Sequence, residues 1–281
     1  MKAILVPYHD EEAARIALRT ALLLAKRFES YLEGLLVLGE PIVSFVPGMI
    51  MPPDQLSAAV AEWRRFADRA RQEFVEMTAA SGLALRELDA PGQGPAAGWR
   101  EMQGSEPEIV GQHGRLFDLI VVGRPDAATS SRWREIHEAA LFESGRPVLL
   151  AATEVPRTIG STIVIAWNGS TETARTIAFA MPLLLTAKRV EIMTVEGHVV
   201  PGPSAAEVVT LLAWHGIPAT SRSFKPDERP AGEIILDEAG DIGADLILKG
   251  AFTHSRLRQH IFGGTTQHIL DYANVPVLLA H

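Results

Sequence analysis

Two tandem doubly wound α/β domains, each an open five-stranded parallel sheet flanked by helices, are predicted by three features of this 281-residue chain. The first is a duplication. AILVPYHDEEAARIAL (3–18) and TIVIAWNGSTETARTIAF (162–179) both pass from an apolar run through a polar turn into a helical pattern containing Ala-Arg. LLLAKR (22–27) pairs with LLLTAKR (183–189), FDLIVVGRP (117–125) with ADLILKGAF (244–252), and RPVLLA (146–151) with VPVLLA (275–280). Four matches in one order identify an internal repeat. Second, the first, fourth and fifth strands of each half are nearly continuous apolar runs, as in parallel strands covered on both faces. Third, helical stretches separate those runs, which calls for right-handed crossovers in an open sheet.

Taken in order, the first half places strands near 2–7, 31–38, 83–89, 118–122 and 147–151. The second places them near 161–166, 190–195, 218–224, 245–249 and 275–280. The third strands are the more polar ones. The domains are expected at 1–152 and 160–281, joined by ATEVPRTIG (152–160). The first half carries an insertion, GEPIVSFVPGMIMPPDQ (39–55), and then a long helix through AAVAEWRRFADRARQEFVEM (58–77). Ala59, Trp63, Phe66, Ala70 and Phe74 recur at helical spacing, so one face of that helix should be buried. The apolar insertion with Phe45, Met49 and Met51 reads as interface or core in preference to a ligand pocket. GQGPAAG (92–98) has the wrong spacing for a dinucleotide fingerprint and reads as a loop.

Hydrophobic content of 47% with 21% charged residues marks a well-cored globular chain, and a net charge of −8 argues against nucleic acid as a partner. There is no cysteine, hence no disulfide, thiolate nucleophile or zinc knuckle. MKAILVPYHDEE holds too short an apolar run for a secretory leader, and no segment reaches the roughly 18 apolar residues of a membrane span. A soluble, cytoplasmic protein without membrane partners is the expectation.

The stretch KGAFTHSRLRQHIFGGTT (249–266) leaves an apolar strand through one glycine and enters a helix through two more. Ligands of open α/β sheets bind beyond the carboxyl ends of the strands, where strand order reverses. Three loops should converge there: Trp167-Asn168-Gly169-Ser170, Val195-Glu196, and the chain from Gly250 onward. Gly250 lets the backbone approach a ligand. Gly263 and Gly264 open a helix whose free N–H groups and positive dipole end favour an anion, with Thr265 and Thr266 as hydroxyl donors. His254, Arg256 and Arg258 are placed either to neutralise phosphate or simply to be solvated. Asn168 either pairs with a sugar hydroxyl or caps the helix starting near Ser170.

This arrangement resembles the universal stress protein family in its tandem two-domain form, over nearly the whole chain. Nucleotide-binding members carry Gly-x-x-Gly, nine residues, then Gly-Ser or Gly-Thr after strand four. Gly250 fits the first glycine, Thr253 stands at the second, residues 254–262 are the nine, and Gly263 follows. Gly264 holds the hydroxyl position, with Thr265 beside it; Asn168 stands at the family's aspartate and Val195 at its adenine-contacting backbone. The resemblance implies a site for ATP or AMP, with magnesium as an optional companion. Its contacts would come from Ala166, Trp167, Asn168 and Val195, then Lys249, Gly250, Thr253 and His254, and finally Gly263, Gly264, Thr265 and Thr266. It also implies a nucleotide-responsive stress regulator with an unidentified protein partner, and makes a homodimer reasonable. The first half departs further: His9 replaces the aspartate, Asp126 the second glycine, and Arg134 and Glu135 the glycine pair, although Gly123 survives. Those side chains would obstruct and repel an anion, so this half is expected to bind no nucleotide and to serve as a built-in structural partner.

No enzyme is expected. There is no GxxxxGK[ST] loop, and His137-Glu138 lacks the second histidine of a zinc-protease helix because Leu141 stands there. His254, His260 and His268 have no metal-ligand spacing, Asp237, Glu238 and Asp241 read as a solvated face, and Ser170 has no identifiable base. Phosphoryl transfer needs metal-holding carboxylates, and Glu196 is the one carboxylate the sequence places near the cradle. Two alternatives stand beside nucleotide binding. One is a scaffold acting through contacts such as 41–53. The other is a slow ATP hydrolase of the wider adenine-nucleotide α-hydrolase group, which shares this sheet.

Overall fold

A computed structural model of the chain describes residues 1–9, 11–39, 53–124, 130–251 and 264–281. The chain divides into two compact units, Met1–Ser144 and Gly145–His281. In the first unit, β1 (Ala3–Pro7), α1 (Glu12–Phe28), β2 (Tyr31–Leu38) and α2 (Pro53–Ala80) are followed by β3 (Ala84–Leu85) and β4 (Ala96–Gln103). Then come α3 (Glu106–His113), β5 (Leu119–Val122) and α4 (Ser130–Glu143). The sheet order is β3-β4-β2-β1-β5, with all these neighbours parallel. β1 lies between β2 and β5, and the side chains of these two strands, Ile4 to Val6 and Leu119 to Val122, are fully buried. Ala14, Ala17, Leu18, Ala21 and Ala25 give α1 the apolar stripe that covers them, and Lys26 and Arg27 in its last turn suit the negative end of its dipole.

The third strand departs from expectation. Only Ala84–Leu85 forms within the 83–89 segment, while Ala96–Gln103 pairs with β2 over eight residues, so the loop read at 92–98 ends before Ala96 and its last three residues belong to the strand. Its polar half hid it. The reason it forms is lateral: Glu33 on β2 is 1% exposed and needs partners. The register sets Glu33 opposite Gly98, so Arg100 follows on the same face and its Nε donates to Glu33 Oε1 at 3.0 Å. Tyr31 Oη donates to Glu33 Oε2 at 2.9 Å, and His113 Nε2 lies 2.5 Å from Oε1. Burial alone would raise the Glu33 pKa, yet the bonds from His113, Arg100 and Tyr31 hold it below the usual carboxylate range. Gly98 is required there, since a Cβ would fall 2.1 Å from Tyr31 Oη. Of the predicted apolar face of α2, Ala70 and Phe74 are buried, beside Ala67 and Thr78, while Ala59, Trp63 and Phe66 are half-buried. The insertion through residue 52 lies outside the described residues.

The second unit comprises β6 (Val148–Leu150), β7 (Thr162–Ala166), α5 (Thr171–Leu184), β8 (Arg189–Val195), α6 (Ala205–Trp214) and β9 (Ala219–Phe224). It continues with α7 (Ala231–Asp241), β10 (Leu246–Gly250), α8 (Gly264–Tyr272) and β11 (Val277–Ala280). The order is β6-β11-β10-β7-β8-β9; five strands are parallel, and β6 runs antiparallel to β11 with Val277 opposite Leu150. The strand expected to close the first domain therefore belongs to the second unit, and the division falls at Ser144, ahead of the segment read as a linker. Asp245 holds that segment: it accepts from Thr158 Oγ1 at 2.7 Å, Ser161 N at 2.8 Å and Thr162 N at 2.9 Å. No helix among the described residues is long and apolar enough to cross a membrane.

Candidate functional site at the carboxyl ends of β7, β8 and β10

The turn after β7 is fixed by its own side chains. Ser170 caps α5, accepting from Thr173 N at 3.2 Å. Asn168 Oδ1 accepts from Ser170 N at 3.3 Å and from Thr173 Oγ1 at 2.8 Å, so its side chain is engaged at the start of α5. Of the two roles the sequence left open for Asn168, the observed bonds are those of the helix start. Thr173 Oγ1 and Ser170 Oγ lie 3.1 Å apart, which closes a small polar ring around the first turn.

The chain after β8 lies against this turn. Val200 N donates to Asn168 O at 2.8 Å, and Trp167 Nε1 donates to Pro203 O at 2.9 Å. Gly169 adopts φ +82°, and a Cβ there would meet Val200 O at 2.7 Å. A Cβ on Gly202 would meet Gly169 O at 2.4 Å. Both positions thus demand glycine for backbone contact, one with positive φ as well. Val195 and Ala166 are buried, while Glu196 is exposed and contributes its backbone N–H to Phe224 O.

At the end of β10, Gly250 has a purpose other than the one the sequence suggested. Its Cβ position is filled by α5: the nearest atoms would be Thr173 N at 2.5 Å and Thr173 Oγ1 at 2.6 Å. The glycine brings the first turn of α5 against the strand. One residue earlier stands Lys249, 3% exposed. Its ammonium donates to Gly250 O at 3.3 Å. Burial pushes it down to about 8, against the nearby charge of Glu172, which raises it. Glu172, in the first turn of α5, is 9% exposed; its Oε1 accepts from Thr171 Oγ1 at 2.9 Å, while its buried Oε2 has no hydrogen-bond partner among the described residues. Burial would raise the Glu172 pKa, but its own backbone N–H, the Thr171 and Ser170 hydroxyls and His281 lower it overall. The sequence reading missed Glu172; its signal was its place in the first turn behind the Asn168–Ser170 cap.

α8 begins at Gly264, where an added Cβ would meet nothing within 4 Å among the described residues, followed by half-buried Thr265 and buried Thr266. Thr253, His254 and Gly263, with Arg256, Arg258 and His260, lie outside the described residues. Ala166, Trp167, Asn168, Lys249 and Gly250 stand at the carboxyl ends of the neighbouring strands β7 and β10, and Val195 ends β8 beside them. Among the described residues no group of three or more His, Cys, Asp or Glu could hold a metal ion.

The same end of the first unit is filled by side chains. His9 is 3% exposed and paired with Glu106; Trp133 is 1% exposed, with its ring 5.9 Å from His9 and Nε1 donating to Glu11 Oε2 at 2.9 Å. His137, one helical turn on, lies 5.9 Å from the Trp133 ring and bonds Gly123 O at 3.0 Å. Burial pushes His137 down to about 4, so it is neutral at physiological pH. Arg134 and Glu135, expected to obstruct an anion, are exposed instead. Helical geometry explains the exchange, because residues 133, 136, 137 and 140 share the face turned to the sheet.

Such a sheet, with strand order reversing at a glycine-ended β10 and a capped α5, defines a doubly wound α/β protein, and the crevice between β7 and β10 is its candidate ligand position. The sequence model of the universal stress protein family matches residues 161–281 of this chain. A universal stress protein from Archaeoglobus fulgidus DSM 4304 is similar in fold over 99% of this chain and 95% of its own, at 16% identity and a TM-score of 0.74. A protein of the same description from Pseudomonas aeruginosa UCBPP-PA14 matches 100% of this chain and 93% of its own, at 17% identity and a TM-score of 0.57. A shorter universal stress protein, solved in complex with cAMP, matches 44% of this chain with 98% of its own, at 16% identity and a TM-score of 0.34. No curated protein matches the sequence.

Proposed function

We propose that the carboxy-terminal unit binds an adenine nucleotide, ATP or AMP, by its phosphates, and that the chain acts as a nucleotide-responsive regulator in stress response. The observation that supports this most is Lys249. A buried ammonium with one long hydrogen bond among the described residues, beside a carboxylate with an orphaned oxygen, is costly to fold. Such cost concentrates where a ligand repays it, and this one stands at the carboxyl end of β10. A polyphosphate would complete the coordination of the ammonium, with α8 N–H groups from Gly264 onward adding donors. Magnesium would suit the Glu172 carboxylate together with the phosphates. Binding is the whole chemistry of this reading; turnover of the nucleotide is no part of it.

Equilibrium dialysis of the full chain with labelled ATP should give about one site per chain. Gly264→Glu adds a negative charge at an open position, so the fold should survive while binding is lost. Lys249→Met should weaken binding by roughly tenfold, in line with one lost charge-assisted bond. Absence of saturable binding by the unmodified chain overturns the reading.

A second reading is a scaffold that acts through protein contacts without nucleotide. The bond from Val200 to Asn168 O and that from Trp167 to Pro203 O favour it, because they draw the chain after β8 across the β7 turn. Millimolar ATP with magnesium would then leave the melting temperature unchanged, whereas ligand binding at saturation raises it.

A further inference from the structure

Away from the crevice, α7 and α8 meet closely at one end and part at the other. Gly232 is the point of contact: a Cβ there would lie 2.8 Å from both His268 Cβ and Thr265 O. Further along, the two helices enclose a groove of about 530 Å³, floored by Ile247 and Val275. That volume falls within the roughly 300–1,000 Å³ of small-molecule sites. Its two walls differ in chemistry. α7 contributes Glu233 and Asp237, and α8 contributes His268 and Tyr272. Each pair is four residues apart, hence stacked on one helix face. The His268 and Tyr272 rings sit 4.6 Å apart at 39°, and Tyr272 is 65% exposed. Two carboxylates and two aromatic rings lining one groove with Ile247 and Val275 offer charge, ring surface and apolar contact together, the chemistry that recognises an ammonium or guanidinium group on an apolar body.

The chain already seats one such cation at the groove's edge. Arg229 Nη1 donates to Asp237 at 2.7 Å while its Nε and Nη2 hold Asp227 at 3.0 and 2.8 Å. This pairing shows that Asp237 accepts a guanidinium, and it also competes with any ligand. We propose that the groove between α7 and α8 is a binding site for a small organic cation, recognised by Glu233 and Asp237 against the rings of His268 and Tyr272. The site is independent of the nucleotide crevice.

The test is an amide-resolved NMR titration of the full chain with phenethylamine, using 3-phenylpropionate as the anionic counterpart of the same body. Saturable shifts confined to residues 233–240 and 268–275 are expected with the amine and absent with the acid. Glu233→Gln with Asp237→Asn should weaken amine binding by roughly tenfold, and Arg229→Ala should tighten it by roughly threefold by freeing Asp237. These side chains lie at the surface, so unchanged melting temperatures will separate loss of binding from loss of fold. No saturable shift with the amine, an equal response to the acid, or undiminished binding in the double variant each overturns the proposal.

Discussion

At the carboxyl end of β5 the first unit keeps Gly123, and a Cβ there would fall 2.4 Å from Ala13 O in the first turn of α1. At the end of β10 the second unit keeps Gly250, with Thr173 of α5 in the same relation at 2.5 Å. Beyond that shared backbone device the two ends hold opposite contents. The first unit fills its crevice with Trp133, His137 and the His9–Glu106 pair, and the described part of it is packed like a core. The second buries Lys249 and Glu172 near one another, with bonding capacity that the described residues leave unused. A glycine surviving at this point therefore marks the packing of a helix on a strand and says little about ligand. What separates a site from a plug is which side chains face the crevice from the elements around it.

The largest effect expected from breaking this comparison comes from the plug. Trp133→Ala removes a ring that is 1% exposed and should destabilise the first unit by about 3–5 kcal/mol, as large aromatic deletions in cores do. Urea denaturation followed by circular dichroism measures it. A cost under about 1 kcal/mol would mean that the crevice is not a core, because a cavity so cheaply opened was never closely packed.

The legibility of the chain follows the same division. The apolar runs that became β1, β5, β7, β10 and β11 were plain in the sequence because burial on both faces leaves few polar residues to blur them, Lys249 near the end of β10 being one. β4 was hidden because its residues answer to Glu33 across the sheet, a partner 67 positions away that no local pattern announces. The second unit repeats the device: Glu191 on β8 is 1% exposed and pairs with Arg222 on β9, which lies two residues beyond its register partner Thr220. Setting Glu33 beside Glu191 in the repeat would have led to Arg100 and so to β4. Among the candidate site residues, Gly250 was named through its spacing to Gly263 and Lys249 through the resemblance, but the service of Gly250 to α5 and the nearness of Glu172 depend on tertiary contact. Trp133 was passed over for Arg134 and Glu135 because alignment by loop length does not say which face of a helix points inward.

A smaller effect of opposite sign is expected in the second unit. Lys249 carries a pKa lowered from 10.5 to about 8, so below pH 8 the charged form is buried in the folded state at a cost not borne by the unfolded chain. Lys249→Met should therefore stabilise the protein at pH 7 by about 2 kcal/mol, somewhat under the full cost of that shift. Between pH 8 and 10.5 the folded lysine sheds its proton before the unfolded one, the natural chain gains stability, and the advantage of the variant shrinks. Denaturation at pH 7 and pH 10 reads both quantities. Destabilisation at pH 7 would make Lys249–Glu172 a net stabilising pair, and the contrast with the first unit would disappear. Stabilisation together with weakened nucleotide binding is the pattern of a residue kept for function at the expense of folding.

The smallest change concerns the turn after β7, where the first unit has His9 and the second Asn168. Asn168 Oδ1 holds Ser170 N and Thr173 Oγ1, but Ser170 remains as the cap, so Asn168→Ala should cost only about 1 kcal/mol. The informative substitution is Asn168→Asp, which preserves both acceptor bonds and adds a charge beside the amino end of α5, where the dipole favours it by about 0.5 kcal/mol. If the crevice receives a sugar hydroxyl, the carboxylate is the stronger acceptor and ATP affinity measured by dialysis should rise severalfold. If Asn168 serves the turn alone, the variant gains that stability while binding stays as it was, and the second unit then differs from the first by its lysine and not by its turn.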